Sequence, residues 1–456
     1  MVIGAAGYGK TKWLLDQIKT LAAALNEAPH RRLLALSRMH GARRRLDTAL
    51  GTQYPRVVRT VTTMDSFALG LVNRWRRSLG ASRPFVIGDN EGHEDLFGIE
   101  TSFERVLERA LELLGSATVR SYLASTYPFI LIDEFQDNHG RQLELVQALA
   151  RSSSLLLAAD DFQLLDTDVV GCPATEWVGG FEGDAEIITL TECHRTSDRR
   201  LCNATEALRR DECVQEETIP VIACPSYGPA AYRIIERLVY GSGVPTWKGT
   251  CAVITPTHDN WIGQVLGSCR KQLEDKGLST IHWFAEISEE QDRGRLLAAL
   301  DVADESRSSE PWRRPATAGE PLMKETLEHI DRVSRVRGLP DISRGAVAHL
   351  ARSFLHVVRT RRHHTPKRVV TTIHGAKNRE FDHVFVLWPY NVPSNYELTR
   401  RLLYNAVSRA RVSAMILARG DVARCAKNVL RLLGPAQPAF PGGIQGPRKA
   451  RAKRRA

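Results

Sequence analysis

Val2-Ile3-Gly4-Ala5-Ala6-Gly7-Tyr8-Gly9-Lys10-Thr11 opens the chain, and the fold follows from how it is read. Residues 4–11 fit G-x-x-x-x-G-K-[ST]. An apolar pair precedes them, and helical spacing follows at Trp13, Leu14, Ile18, Leu21 and Leu25. Strand, glycine turn and helix in that order make a phosphate-holding loop. Glycines let backbone N–H groups converge, and the helix N-terminus adds its partial positive charge. On this reading Gly4, Ala5, Ala6, Gly7, Tyr8 and Gly9 line the phosphates of ATP. Lys10 reaches the outer phosphates, and the Thr11 hydroxyl ligates Mg²⁺.

The second stretch is Phe129-Ile130-Leu131-Ile132-Asp133-Glu134-Phe135-Gln136-Asp137. An apolar strand ending in paired acids supplies what the loop lacks. Asp133 is expected to hold Mg²⁺, and Glu134 to orient and deprotonate an attacking water.

Working outward, short apolar runs recur at Arg32–Ser37, Leu155–Ala159, Glu186–Leu190, Val221–Ala223, Cys251–Thr255, Val369–Ile373, His383–Leu387 and Met415–Leu417. Helical patterns separate them, which is the signature of parallel sheets with crossover helices. Residues 70–126 and 286–365 break the alternation and read as helical. Arg307–Pro321, rich in Ser, Pro and Glu, reads as a loop. The expected architecture is α/β, with two parallel-sheet cores, each carrying a small helical insertion. The first core spans 1–69 and 127–180, interrupted by 70–126. The second spans 181–285 and 366–440, interrupted by 286–365. Residues 441–456 form a basic, disordered tail.

Composition narrows the class. The chain has 456 residues and a formal net charge of +11. Six of those charges lie in the last ten residues, leaving +5 elsewhere. A mildly basic body with a basic end suits a phosphate-rich partner. No run approaches the roughly 20 apolar residues of a membrane span, and no basic-then-apolar leader is visible. The eight cysteines are scattered without a C-x-x-C pair, so a reducing cytoplasm is expected rather than a disulfide framework.

Further blocks follow in a fixed order. They are Thr63-Met64-Asp65-Ser66-Phe67-Ala68, Ala159-Asp160-Asp161-Phe162-Gln163, Leu190-Thr191-Glu192-Cys193-His194-Arg195-Thr196-Ser197, Thr371-Thr372-Ile373-His374-Gly375-Ala376-Lys377 with Glu380-Phe381, and Leu403-Tyr404-Asn405-Ala406-Val407-Ser408-Arg409-Ala410-Arg411. With Leu34–Leu46, the whole resembles a compact superfamily 1A helicase of the UvrD/Rep/PcrA type. The resemblance implies two RecA-like cores that close on ATP. Gln163 would sense the γ-phosphate. Arg195 would touch it, and Arg409 would be the arginine finger. His194 would stack on the base, and Glu380 would hold the ribose. Single-stranded DNA would lie against Arg38, His40, Thr63, Ser66, Phe67, Trp177, Thr372 and His374. Movement would run 3′ to 5′.

The departures from the family are specific. Its adenine-reading glutamine motif lies upstream of the loop, and here the loop starts at residue 4. A histidine, His194, replaces the stacking tyrosine. Ser37-Arg38-Met39-His40 lacks the aromatic of its block, and Asp65 stands where histidine is usual. Asn378-Arg379 replaces a Gly-Leu pair. The insertions are small, so two functions stay open. One is a DNA translocase or helicase. The other is a sensor of ATP and DNA ends that controls a partner nuclease, as in anti-phage systems such as Gabija. A small-molecule kinase would leave the second core and its arginines without a role.

Overall fold

The computed structural model describes residues 1–440 except 27, 39, 89–90, 93, 95–97, 168, 182, 195, 197, 242–245, 258–259, 286–288, 303–309, 316–320, 338–341, 362–365, 391 and 393–394. The basic tail, Arg195 and most of the Ser-Pro-Glu-rich segment thus lie outside the described residues. Side chains at 40–42 do also.

Strands β1 (Val2–Gly4), β2 (Leu33–Ser37) and β3 (Arg59–Thr63) begin the first core. Strands β4 (Phe85–Ile87) and β5 (Ile99–Thr101) pair with each other inside the first insertion. Strands β6 (Phe129–Ile132), β7 (Ser154–Ala159) and β8 (Ile188–Leu190) complete a six-stranded sheet in the order β3-β2-β6-β7-β1-β8. Every pairing in it is parallel. Helices cover both faces of such a sheet, so its strands read as unbroken apolar runs rather than alternating ones. Leu33–Ser37 is buried at all five positions.

The second sheet is built from β9 (Val221–Cys224), β10 (Cys251–Thr255), β11 (Phe284–Ala285), β12 (Arg368–Thr372), β13 (Phe381–Trp388), β14 (Ala410–Arg419) and β15 (Gln437–Pro438). Its order is β11-β12-β10-β13-β14-β9-β15, again parallel throughout. The chain therefore folds as two RecA-like parallel-sheet cores, the class expected from the alternating pattern.

Three details differ from the sequence reading. Ile188–Leu190 was expected in the second core but pairs with β1, so the first sheet continues past residue 180. Strand β3 has a polar sequence, Arg-Thr-Val-Thr-Thr, at the sheet edge, and an apolar count does not find it. The first insertion is not purely helical, because β4 and β5 pair beside its helices. Its helix Phe103–Leu114 is amphipathic as the spacing requires. It buries Val106, Leu107, Ala110, Leu113 and Leu114, and Ser102 caps it by accepting from Arg105 N–H at 3.2 Å. The second insertion carries helices Glu289–Ala299, Pro321–Arg337 and Arg344–Arg361 around their own apolar cluster, against which Val86 of the first insertion packs.

Candidate nucleotide site between the two cores

In a parallel sheet, loops that bind ligands leave the carboxyl ends of strands, where the strand order diverges. Strand β1 ends at Gly4, and the helix Lys10–Asn26 starts six residues later. The intervening turn needs left-handed backbone at Gly7 (φ +84°) and Gly9 (φ +86°), where a side chain would strain the chain. Lys10 is buried. Its Nζ donates to the carbonyls of Gly4 (2.8 Å) and Ala5 (3.1 Å). The Thr11 hydroxyl donates to Asp133 Oδ2 at 3.4 Å.

Asp133 follows β6, which β7 separates from β1. Burial pushes its carboxyl up to about 6, and the neighbouring Glu134 adds to this. Lys10 and Arg45 pull the other way without prevailing. Burial also works against ionised Glu134. Lys10, the Gln136 hydrogen bond, Lys377 and Arg409 outweigh it and hold Glu134 below the usual range. Its Oε2 accepts from Gln136 Nε2 at 2.7 Å. Two adjacent carboxyls pushed apart in this way can serve different roles. Glu134 has φ +57°, sparsely populated for a residue with a Cβ, so the local backbone carries strain at this point. The Thr11 hydroxyl and the Asp133 carboxylate are hard oxygen donors side by side, and the raised Asp133 carboxyl shows an acid short of positive charge. Both fit Mg²⁺.

Asp160, fully buried after β7, ties the two cores together. It accepts from Gln163 Nε2 (2.8 Å), Tyr404 OH (2.7 Å) and Arg209 Nη1. Its own N–H donates to Gln136 Oε1 at 3.0 Å. Burial would raise its carboxyl, but Lys10, Arg209 and the two hydrogen bonds from Gln163 and Tyr404 hold it down. Gln163 Oε1 in turn accepts from Arg409 Nη2 at 3.0 Å. Arg409 is 3% exposed and is steadied by donations to Asn405 O and Ser408 Oγ, each at 3.0 Å. Tyr404 OH also accepts the Ala6 N–H at 2.8 Å. Nearby, Lys377 Nζ meets Asp137 Oδ1 at 2.6 Å, and Arg45 meets Glu380 at 3.5 Å.

Most residues named for nucleotide chemistry therefore converge. Gly4 to Thr11, Asp133, Glu134, Gln163 and Arg409 are joined through one network of hydrogen bonds. His194 lies over the loop: its N–H donates to Gly7 O at 2.9 Å, and its ring is 3.4 Å from where a Gly9 side chain would start. Glu380 is engaged with Arg45 at the rim.

The residues named for nucleic acid lie in different settings. Thr63 caps the helix Met64–Arg74, accepting from Ser66 N–H at 3.2 Å and donating to Ser66 Oγ at 2.8 Å. The Thr63 hydroxyl is thus spent on local structure. Phe67 packs in the core, edge-on to Tyr127 at 6.3 Å, and presents no face to a base. Capping and burial thus turn Thr63 and Phe67 toward the fold, while Ser66 is exposed. Arg38 donates to Asp137 O at 2.5 Å, turning inward to the acidic stretch. The Thr372 hydroxyl accepts from Gly375 N–H at 3.1 Å. His374 is exposed at the turn after β12. Trp177 is half-buried, edge-on to Phe135 (6.1 Å) and to Phe181 (5.6 Å), and Phe181 is 41% exposed. Asp65 accepts from Gln142 at 3.1 Å and faces the fold.

Sequence reading passed over Asp160, Tyr404 and Arg209. The first two sit inside quoted blocks, where a buried acid and a tyrosine five residues before Arg409 were visible. Arg209 carries no local signal. The Asn378 substitution has a plain cause: φ is +62° there, a conformation Gly prefers and Asn tolerates.

Residues 99–165 match the model of the UvrD/REP helicase N-terminal domain, and residues 368–417 match that of the UvrD-like helicase C-terminal domain. The chain thus carries segments similar to both the N-terminal and the C-terminal domain of UvrD-like helicases. The first match contains Asp133, Glu134 and Gln163, and the second contains Lys377 and Arg409. No curated protein matches the chain. Among solved structures, the chain is similar to the crystal structure of Pif1 helicase from Candida albicans. Identity is 13% and the TM-score 0.40, over 91% of this chain and 90% of that one. No helix among the described residues is long and apolar enough to cross a membrane.

Proposed function

We propose that this protein is a UvrD-like helicase that hydrolyses ATP with Mg²⁺ between its two cores and uses the cycle to step 3′ to 5′ along single-stranded DNA in the cytoplasm. The observation that carries this reading is the chain of bonds Glu134–Gln136–Asp160–Gln163–Arg409. It runs from the end of β6 in one sheet to the segment before β14 in the other. A base, a polar relay and a buried cation from the opposite core are what phosphoryl transfer requires. Thr11 and Asp133 would hold Mg²⁺, which when bound neutralises charge on the phosphates. Glu134, ionised, is the group that takes a proton from water. Lys10 now rests on loop carbonyls and 3.9 Å from Asp160 Oδ2, and would exchange these contacts for phosphate. Arg195 and Arg409 would supply the remaining positive charge, and His194 and Glu380 would position base and ribose. Residues 1–190 without 70–126 would act as one rigid body and the second sheet as the other.

For the nucleic acid, Trp177 beside exposed Phe181 provides an aromatic platform, and His374 and Thr372 lie at the end of β12. Stacking on such a platform is sequence-tolerant.

Steady-state ATPase activity with and without single-stranded DNA tests this. Strong stimulation that is lost in Lys10→Ala and in Arg409→Ala is the expected result. Nucleotide binding without DNA-stimulated turnover would replace the motor with an ATP- and DNA-end-binding sensor that regulates a partner such as a nuclease.

A further inference from the structure

We propose that Tyr404 is the residue through which the second core detects whether the phosphate loop is filled. The inference rests on the nucleotide-binding reading above and adds to it a specific coupling device.

Tyr404 belongs to the helix Tyr396–Val407 of the second core and is fully buried. Its ring meets Phe162 of the first core edge-on at 5.1 Å, in one apolar cluster that also takes in Ala6 and Leu165. Its hydroxyl performs two tasks at once. It donates its proton to Asp160 at 2.7 Å and receives the Ala6 N–H at 2.8 Å. Burial, with Asp160 beside it, keeps the phenol protonated well beyond the neutral range, so it remains a hydroxyl throughout the cycle.

Ala6 lies within the turn whose backbone N–H groups exist to hold phosphate. In this structure one of those donors is already taken, and the oxygen that takes it comes from the opposite core. An incoming phosphate oxygen competes for the same N–H. Binding therefore breaks one bond between the cores while leaving Tyr404 held by Asp160, the same acid that orients Gln163 and, through it, Arg409. Loading of the loop is thus transmitted to the helix just before Arg409 without any contact from substrate to that helix. Tyr404 acts here as a positioning residue.

The competition costs nucleotide affinity by about the worth of one neutral hydrogen bond, about two- to tenfold. The test combines Tyr404→Phe with 3-fluorotyrosine installed at position 404, which keeps the hydroxyl and the fold and reports by ¹⁹F NMR. Expected results are a Kd for Mg-ADP about two- to tenfold lower in Tyr404→Phe, a lower DNA-stimulated kcat in the same variant, and a shift of the fluorine resonance when Mg-ADP is added. An unmoved resonance in protein saturated with Mg-ADP overturns the proposal. So does weaker Mg-ADP binding by Tyr404→Phe, which would make the hydroxyl a support for the nucleotide rather than its competitor. Wild-type protein that binds no Mg-ADP removes this inference together with the nucleotide reading. The other two outcomes remove the inference alone.

Discussion

The nucleotide cleft and the nucleic-acid face of this molecule answer differently to the same kind of evidence. In the cleft, residues more than 240 positions apart, such as Gln163 and Arg409, arrive within 3.0 Å of each other. On the other face, residues from a single short block separate: Thr63 and Ser66 turn to a helix cap and Phe67 to the core. The contrast has a physical source. Phosphate chemistry needs charges in a dry cleft, and such charges are costly unless each is paired, so their identity and placement are tightly constrained. A surface that reads a flexible strand needs only exposed aromatic and polar groups, and many arrangements supply them.

The sharpest way to break the comparison is at Glu134. Glu134→Gln keeps the shape and the Gln136 contact region but removes the base. Turnover should fall by about 10²–10⁴-fold while Mg-nucleotide binding persists. Loss of binding with the same severity would mean that the cleft is assembled by Glu134 rather than served by it.

Phe67 and Trp177 sharpen the other side. Phe67→Ala removes a buried aromatic and should cost about 3–5 kcal/mol of stability, measured by denaturant unfolding, with DNA affinity per folded molecule unchanged. A DNA defect in fully folded Phe67→Ala protein would restore that residue to the binding face. Trp177→Ala should show the reverse pattern. Single-strand affinity should drop by about 1–3 kcal/mol in a fluorescence titration, with a smaller stability change because the ring is only half-buried.

The smallest expected effect lies away from both regions. His383 is buried in the second sheet, stacked on Trp247 at 4.8 Å, with its ring nitrogens on Ser413 Oγ and Lys248 O, each at 2.8 Å. Burial lowers its pKa, and the Lys248 hydrogen bond only partly opposes this. The folded chain thus binds this proton less readily than the unfolded chain. The contribution to stability is present above the ordinary histidine range and is lost as pH falls through it. Unfolding free energy should decline between about pH 7 and 5, and His383→Gln should reduce that slope. An unchanged slope would assign the acid sensitivity to other groups.

Legibility followed the same division. Strands such as Phe129–Ile132 and Cys251–Thr255 were readable because both sheet faces are covered and the apolar run is continuous. Strand β3 was not, because Arg59–Thr63 is an edge strand whose membership depends on Leu33–Ser37 beside it. Loop glycines and the paired acids were readable from residue type and spacing, and Arg409 from the resemblance of its block. Asp160 as the hub was not, since an Asp-Asp pair before a turn looks like any N-cap until Arg209 and Tyr404 arrive from the other core.

By itself, then, the resemblance of one block pointed to Arg409, while the residues themselves pointed to the two α/β cores, the glycine loop and the acid pair. These rest on local rules: backbone freedom at Gly7 and Gly9, apolar periodicity, and a strand that ends in charge. Only the tertiary structure decided that Ile188–Leu190 joins the first sheet, that Thr63 caps a helix and Phe67 lies in the core, and that a tyrosine hydroxyl from one core sits on the glycine loop of the other. Those outcomes depend on which groups are buried together, and burial is a property of the packed chain.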